Sequence, residues 1–174
     1  MAQSRPPAAR VPYDARSLLE NSGLARPERL VGFGFRRAMK ALETGDQAPW
    51  EFAWQEFANA AGHDQATQLV ARLSVWARCV RRCSGRRIET FPASCPGFCR
   101  DECLAISMIA ASQHSVCPAL RACAFALIGS SEIAPALEAA DRFAESLAAS
   151  GQVLSEQSVC NALTFTAPTS QRLS

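Results

Sequence analysis

The feature that most constrains this chain is its punctuation. Apolar residues recur at the three- and four-residue intervals of a helical face, and most such runs begin near a proline and stop at a glycine. Pro27 opens a run in which Val31, Phe35, Ala38 and Leu42 share a face before Gly45. Pro49 opens the next, where Trp50, Trp54, Phe57 and Ala61 form one stripe ahead of Gly62, so its three aromatics are expected to face the core. Asp64 suits the N-cap of a third helix, whose stripe of Leu69, Leu73, Trp76, Val80 and Cys83 is the longest in the chain. That length marks it as the central helix, ended by Gly85.

Residues 86–98 lose the helical period and hold two prolines and a glycine, which predicts a connector, partly extended. Asp101 and Glu102 then complement the positive end of a helix running through Leu104, Met108 and Ala111. Pro118 starts another through Leu120, Ala124 and Leu127. Ser131 and Glu132 begin a last amphipathic helix, with Ile133, Leu137, Ala140 and Leu147 inward and Glu138, Asp141, Arg142 and Glu145 mostly outward, stopping near Gly151. The pattern predicts an all-α fold, a compact array of about six helices in a single domain. No period of 20 to 50 residues repeats, so a solenoid is not supported. Residues 1–13 read as a disordered N-terminal tail, 14–163 as the helical domain and 164–174 as a frayed C-terminal tail.

A chain of 174 residues buries roughly two-thirds of its unfolded surface, enough for a core without staples. With 48% apolar and 20% charged residues, and no apolar run of membrane-spanning length, it carries no transmembrane signature. The first ten residues place Arg5, Pro6 and Pro7 where a secretory signal needs an apolar stretch. Pro12 and Asp14 also spoil the amphipathic helix of a transit peptide, so a cytoplasmic location is expected.

Motifs for catalysis are missing. The chain lacks G-x-S-x-G, a P-loop, a dinucleotide fingerprint and H-E-x-x-H, and its two histidines, His63 and His114, read as helix-end residues. Gly32-Phe33-Gly34-Phe35 lies inside a helical pattern and reads as a close-packing site rather than a phosphate loop. Asp101 and Glu102 are adjacent, so a helix does not turn them towards each other as an acid–base pair. The reading leans away from an enzyme.

Cysteine is the unusual component. Of eight, Cys79, Cys83, Cys95, Cys99 and Cys103 fall within 25 residues, followed by Cys117, Cys123 and Cys160. The i, i+4 spacing of Cys79 with Cys83, and of Cys99 with Cys103, would put each pair on one helical face. Reduced cysteine behaves as a small hydrophobe, and core packing is the leading reading. If Cys79, Cys83, Cys95 and Cys99 converge, four thiolates suit zinc, with Cys103 as an alternative ligand; thiolates suit Cu(I) or iron–sulfur clusters as well. No cofactor is the first expectation and zinc the second. The run Cys79-x3-Cys83-x11-Cys95-x3-Cys99 resembles the twin CX3C motif of small intermembrane-space chaperones and related helical-hairpin proteins. That resemblance covers residues 79–99 and implies, in an oxidising compartment, bridges from Cys79 to Cys99 and from Cys83 to Cys95 across a hairpin.

Net charge is only +2, yet residues 1–90 carry 14 basic and 9 acidic side chains against 4 and 7 in residues 91–174. Seventeen of the 18 basic residues are arginine. Arg72, Arg78, Arg81, Arg82, Arg86 and Arg87 cluster on and after the third helix, with Arg36, Arg37 and Lys40 on an earlier one. Such a face suits an acidic protein partner, with nucleic acid a weaker reading and a solvated helix face the plain alternative. The sequence therefore predicts a small regulatory or adaptor protein acting by contact, with a thiolate zinc protein as the rival. It leaves the oligomeric state open.

Overall fold

A computed structural model of the chain describes residues 24–159. Those residues form an all-helical array: α1 (Arg26–Thr44), α2 (Ala48–Ala61), α3 (His63–Cys83), α4 (Arg100–Gln113), α5 (Cys117–Ile128) and α6 (Ala134–Ala149). No strand occurs among the described residues. The expected tails, 1–13 and 164–174, and Cys160 lie outside the described residues.

The predicted stop Gly45 behaves as written, taking left-handed backbone at φ 74° where its N–H closes the end of α1 on the Ala41 carbonyl. Gly129, which the sequence reading did not single out, ends α5 in the same way at φ 67° on the Phe125 carbonyl, whereas α3 ends at Cys83 with Ser84, not Gly85, as its C-cap. Prolines occupy the first turns of α1, α2, α5 and α6, where a missing N–H costs no helical bond. Two starts differ from expectation: Gly62 takes the N-cap position of α3 and Asp64 falls in its first turn, beside the helix dipole, and α6 begins at Ala134 after Ile133 rather than at Ser131 and Glu132.

α1 packs on α2, α3 and α4; α3 and α6 pack along each other, as do α4 and α5. At the centre Trp76 stacks on Phe143 at 5.6 Å and meets Phe35 at 5.3 Å, while Phe57 approaches Phe143 at 6.2 Å. All four rings are fully buried, each contributing about 1.5–3 kcal/mol relative to exposure. The most enclosed helix is α4, buried continuously from Leu104 to Ala111, so it, rather than the longer α3, is the central element. The expected stripe of α2 is also rotated. Ala53, Phe57 and Ala58 face the core, whereas Trp50 and Trp54 are half-buried and pack at its edge.

The Gly32-Phe33-Gly34-Phe35 run is a packing site, as read. A β-carbon on Gly32 would overlap the Phe98 ring and lie 2.9 Å from Ile106, so only glycine lets α1 press against α4 and the residues before it.

Candidate functional site

Residues 84–99 leave the helical array, a slightly longer connector than the expected 86–98, and two adjacent carboxylates fix their path. Asp101 and Glu102 occupy the first turn of α4 and are buried, 4% and 0% exposed. Neighbours on a helix point about 100° apart, so the two reach different arginines. Asp101 takes Arg86 bidentately at 2.8 and 2.6 Å and accepts the backbone N–H of Glu89 at 2.8 Å. The hydrogen bond to Asp101 raises the Arg86 pKa above its ordinary value, although burial opposes it.

Glu102 takes Arg36. The guanidinium donates to both carboxylate oxygens, at 2.6 and 3.0 Å, and its other three N–H groups reach the carbonyls of Pro92, Cys95 and Gly97. All five donors are therefore used. Glu102 also accepts the N–H groups of Phe91 and Cys99, at 3.2 and 2.8 Å. Phe33 and Phe98 cover the cation, their centroids 5.1 and 5.3 Å from its central carbon. The helix-dipole account of Asp101 and Glu102 was thus incomplete: their larger task is to hold α1 and the connector together.

Between α1, the start of α2 and the connector lies an open groove of about 1270 Å³. Three of its cations, Arg36, Arg37 and Arg86, are already engaged, by Glu102, Glu56 and Asp101. Lys40, Arg81, Arg87 and Arg100 also line it, against Glu43, Asp46 and Glu89. Lys40 and Arg87 share the single carboxylate of Glu43, at 3.6 and 3.1 Å. Arg81 donates to the Leu42 carbonyl at the end of α1 and has no acidic partner among the described residues. Met39, Pro49, Phe52, Ile88 and Phe91 supply apolar wall, with Phe52 54% exposed.

The arginines singled out by sequence divide in two. Arg86 turns inward to Asp101, so it stabilises the connector rather than offering a free charge. Arg81 and Arg87 form the groove rim. Arg78 and Arg82 stand exposed on α3 with no ion pair among the described residues, and Arg72 is half-buried on the same helix. Arg81 also borders a smaller hollow with Leu42, Val75, Cys79, Arg78 and Arg82, so groove and helix face are continuous through it.

The described cysteines are all free thiols. Cys79 and Cys83 lie half-buried on α3, but Cys95 is in the irregular connector and Cys99 is the N-cap of α4, so the second pair is not helix-borne. The bridges implied by the twin CX3C spacing are absent here. Cys99 donates to the Glu89 carbonyl at 3.2 Å, and Cys103 is half-buried at the edge of the core. Among the described residues no three histidine, cysteine, aspartate or glutamate side chains come together as a metal-holding group. His63 packs edge-on to Trp54, and the His114 ring shares a 2.7 Å hydrogen bond with the Leu154 carbonyl.

Sequence reasoning missed the groove itself, because its walls come from α1, α2 and residues 81–100. One signal was present: Arg36 sits within the apolar run of α1. No helix among the described residues is long and apolar enough to cross a membrane. Comparison with protein-family models, curated proteins and solved structures finds no match to this chain.

Proposed function

We propose that this chain is a small regulatory or adaptor protein that works by contact, receiving an acidic surface or segment of a partner protein. The observation that carries the reading is the pair Arg78 and Arg82: both are exposed and without an acidic neighbour among the described residues, and they flank Val75, which is 52% exposed. Arginine is enriched at interaction hot spots, and two arginines without acidic neighbours beside exposed apolar surface support a contact role. Through Arg81 this patch runs into the groove, which supplies Lys40, Arg87 and an apolar wall.

The test is a titration of the full chain with fluorescent, end-blocked decapeptides, one alternating glutamate with valine and one alternating glutamine with valine. Binding of the acidic peptide alone, weakened about tenfold or more in R78A/R82A and unchanged in R142A, is the expected result. Equal affinity for both peptides, or indifference to R78A/R82A, would remove this face from consideration. Tighter binding of a single-stranded oligonucleotide, with affinity falling steeply in salt, would replace the reading with nucleic-acid binding.

A further inference from the structure

The connector carries an alternation that the adaptor reading does not need. Residues 87–92 contain no turn or helix. Along them the N–H groups of Glu89 and Phe91 point to one side, into the carboxylates of Asp101 and Glu102. The Glu89 carbonyl accepts from Cys99 on that side too. Spacing of two between inward-bonded residues is the signature of extended backbone, in which the polar groups of the intervening residues face the opposite edge. Those residues are Ile88 and Thr90. Neither has a hydrogen bond from its N–H or its C=O among the described residues, and both line the groove.

We infer that the edge of residues 87–92 takes an extended acidic segment of a partner protein as an added β-strand. Two unpaired residues in phase offer two N–H donors and two C=O acceptors, enough for four main-chain bonds to an incoming strand. Main-chain pairing supplies affinity without sequence, and the groove supplies the selection. Lys40 and Arg87 share the one carboxylate of Glu43, and Arg81 donates to the Leu42 carbonyl at the same C-terminal end of α1, so acidic side chains of the added strand find cations there. Side chains on its other face meet Pro49, Phe52 and Ile88. The edge is held in shape before any partner arrives, because the ion pairs Arg86–Asp101 and Arg36–Glu102 fix the backbone from behind. That removes much of the ordering cost of strand addition.

The inference rests on the adaptor reading but can fail separately from it. The full chain is titrated with the acidic decapeptide and with two derivatives N-methylated at alternate positions, odd in one and even in the other. Amide signals of the protein are followed by NMR. Strand addition predicts that one methylation phase loses tenfold or more in affinity while the other keeps it, and that the Ile88 and Thr90 amides gain exchange protection on binding. T90P, which deletes one edge donor, is expected to weaken binding about five- to tenfold, whereas T90V stays within twofold. The methylation comparison uses the unaltered protein, so it stands even where T90P folds poorly. Binding that depends on Arg78 and Arg82 but is blind to methylation phase would overturn strand addition and leave the adaptor reading intact. No binding of any acidic peptide would overturn both. Shifts of the Ile88 and Thr90 amides with protein concentration alone would assign the edge to a second copy of the chain and overturn the inference, as would displacement of the peptide by an oligonucleotide.

Discussion

Arg36 and Glu102, 66 residues apart in sequence, form a doubly hydrogen-bonded ion pair that is 3% and 0% exposed. Such a pair adds little net stability by itself, since desolvation offsets the attraction, but removing one member strands the other charge in the core. Glu102→Gln and Arg36→Met are each expected to cost about 3–5 kcal/mol in denaturant unfolding. The double variant Arg36→Met/Glu102→Gln is expected to lose less than the sum, because it leaves no unpaired charge. Additive losses would show that the two side chains do not depend on each other.

Hydrogen exchange offers a direct view of the connector. Glu89 and Phe91 donate to buried carboxylates, whereas Ile88 and Thr90 donate to nothing among the described residues. In the free protein, alternate protection is expected: amides 89 and 91 slow, 88 and 90 fast. Asp101→Asn should accelerate residue 89 most, since it loses the charge that orders Arg86 and the Glu89 amide together. Uniformly fast exchange of amides 87–91 would contradict a pre-ordered edge.

The two helical glycines of α1 separate propensity from packing. Replacing a helical glycine by alanine gains about 1 kcal/mol of helix propensity. At Gly34 the new methyl would sit 3.2 Å from Leu73 and Phe57, a crowding that small shifts relieve, so Gly34→Ala is expected to be near neutral. At Gly32 it would overlap the Phe98 ring and meet Ile106 at 2.9 Å. Phe98 is buried between Phe33 and the Arg36 guanidinium and has little room to yield. Overpacking costs about 1–3 kcal/mol, so Gly32→Ala is expected to be net destabilising, read as a lower urea midpoint.

The helices themselves are legible in the sequence because their ends are set locally: Pro27 and Gly45, or Pro49 and Gly62, need only a few residues of context. What is not legible is any pairing between distant segments. Nothing near Arg36 announces a carboxylate 66 positions on, so a buried, fully bonded arginine reads as one more basic residue of a charged face. For the same reason Arg86 joins the predicted interaction face although Asp101 holds it inward. The cysteine spacing misleads in the other direction. The twin CX3C spacing implies a hairpin of two helices only where both halves are helical, and at Cys95 the backbone is not.

Thiol chemistry provides a test with a definite sign. Burial first, then the nearby Glu102 carboxylate, pushes the Cys99 pKa up to about 12, and burial does the same to Cys123, also to about 12. In the folded protein at pH 8 only about one in ten thousand of either thiol is ionised. Among the described thiols exposed Cys117 is expected to react first with iodoacetamide, followed by mass spectrometry, while Cys99 and Cys123 are modified only as fast as the protein opens. The same shifts set the alkaline limb of stability. An unfolded thiol ionises near pH 8.5, so between that value and about 12 the native state binds more protons than the unfolded one, and stability falls as pH rises. Below pH 8.5 this contribution is fully present. Urea midpoints are therefore expected to drop from pH 8 to pH 10, and to drop less steeply in Cys123→Ala, which removes one of the two linked protons. An identical slope in that variant would show that the Cys123 thiol ionises alike in the folded and unfolded states.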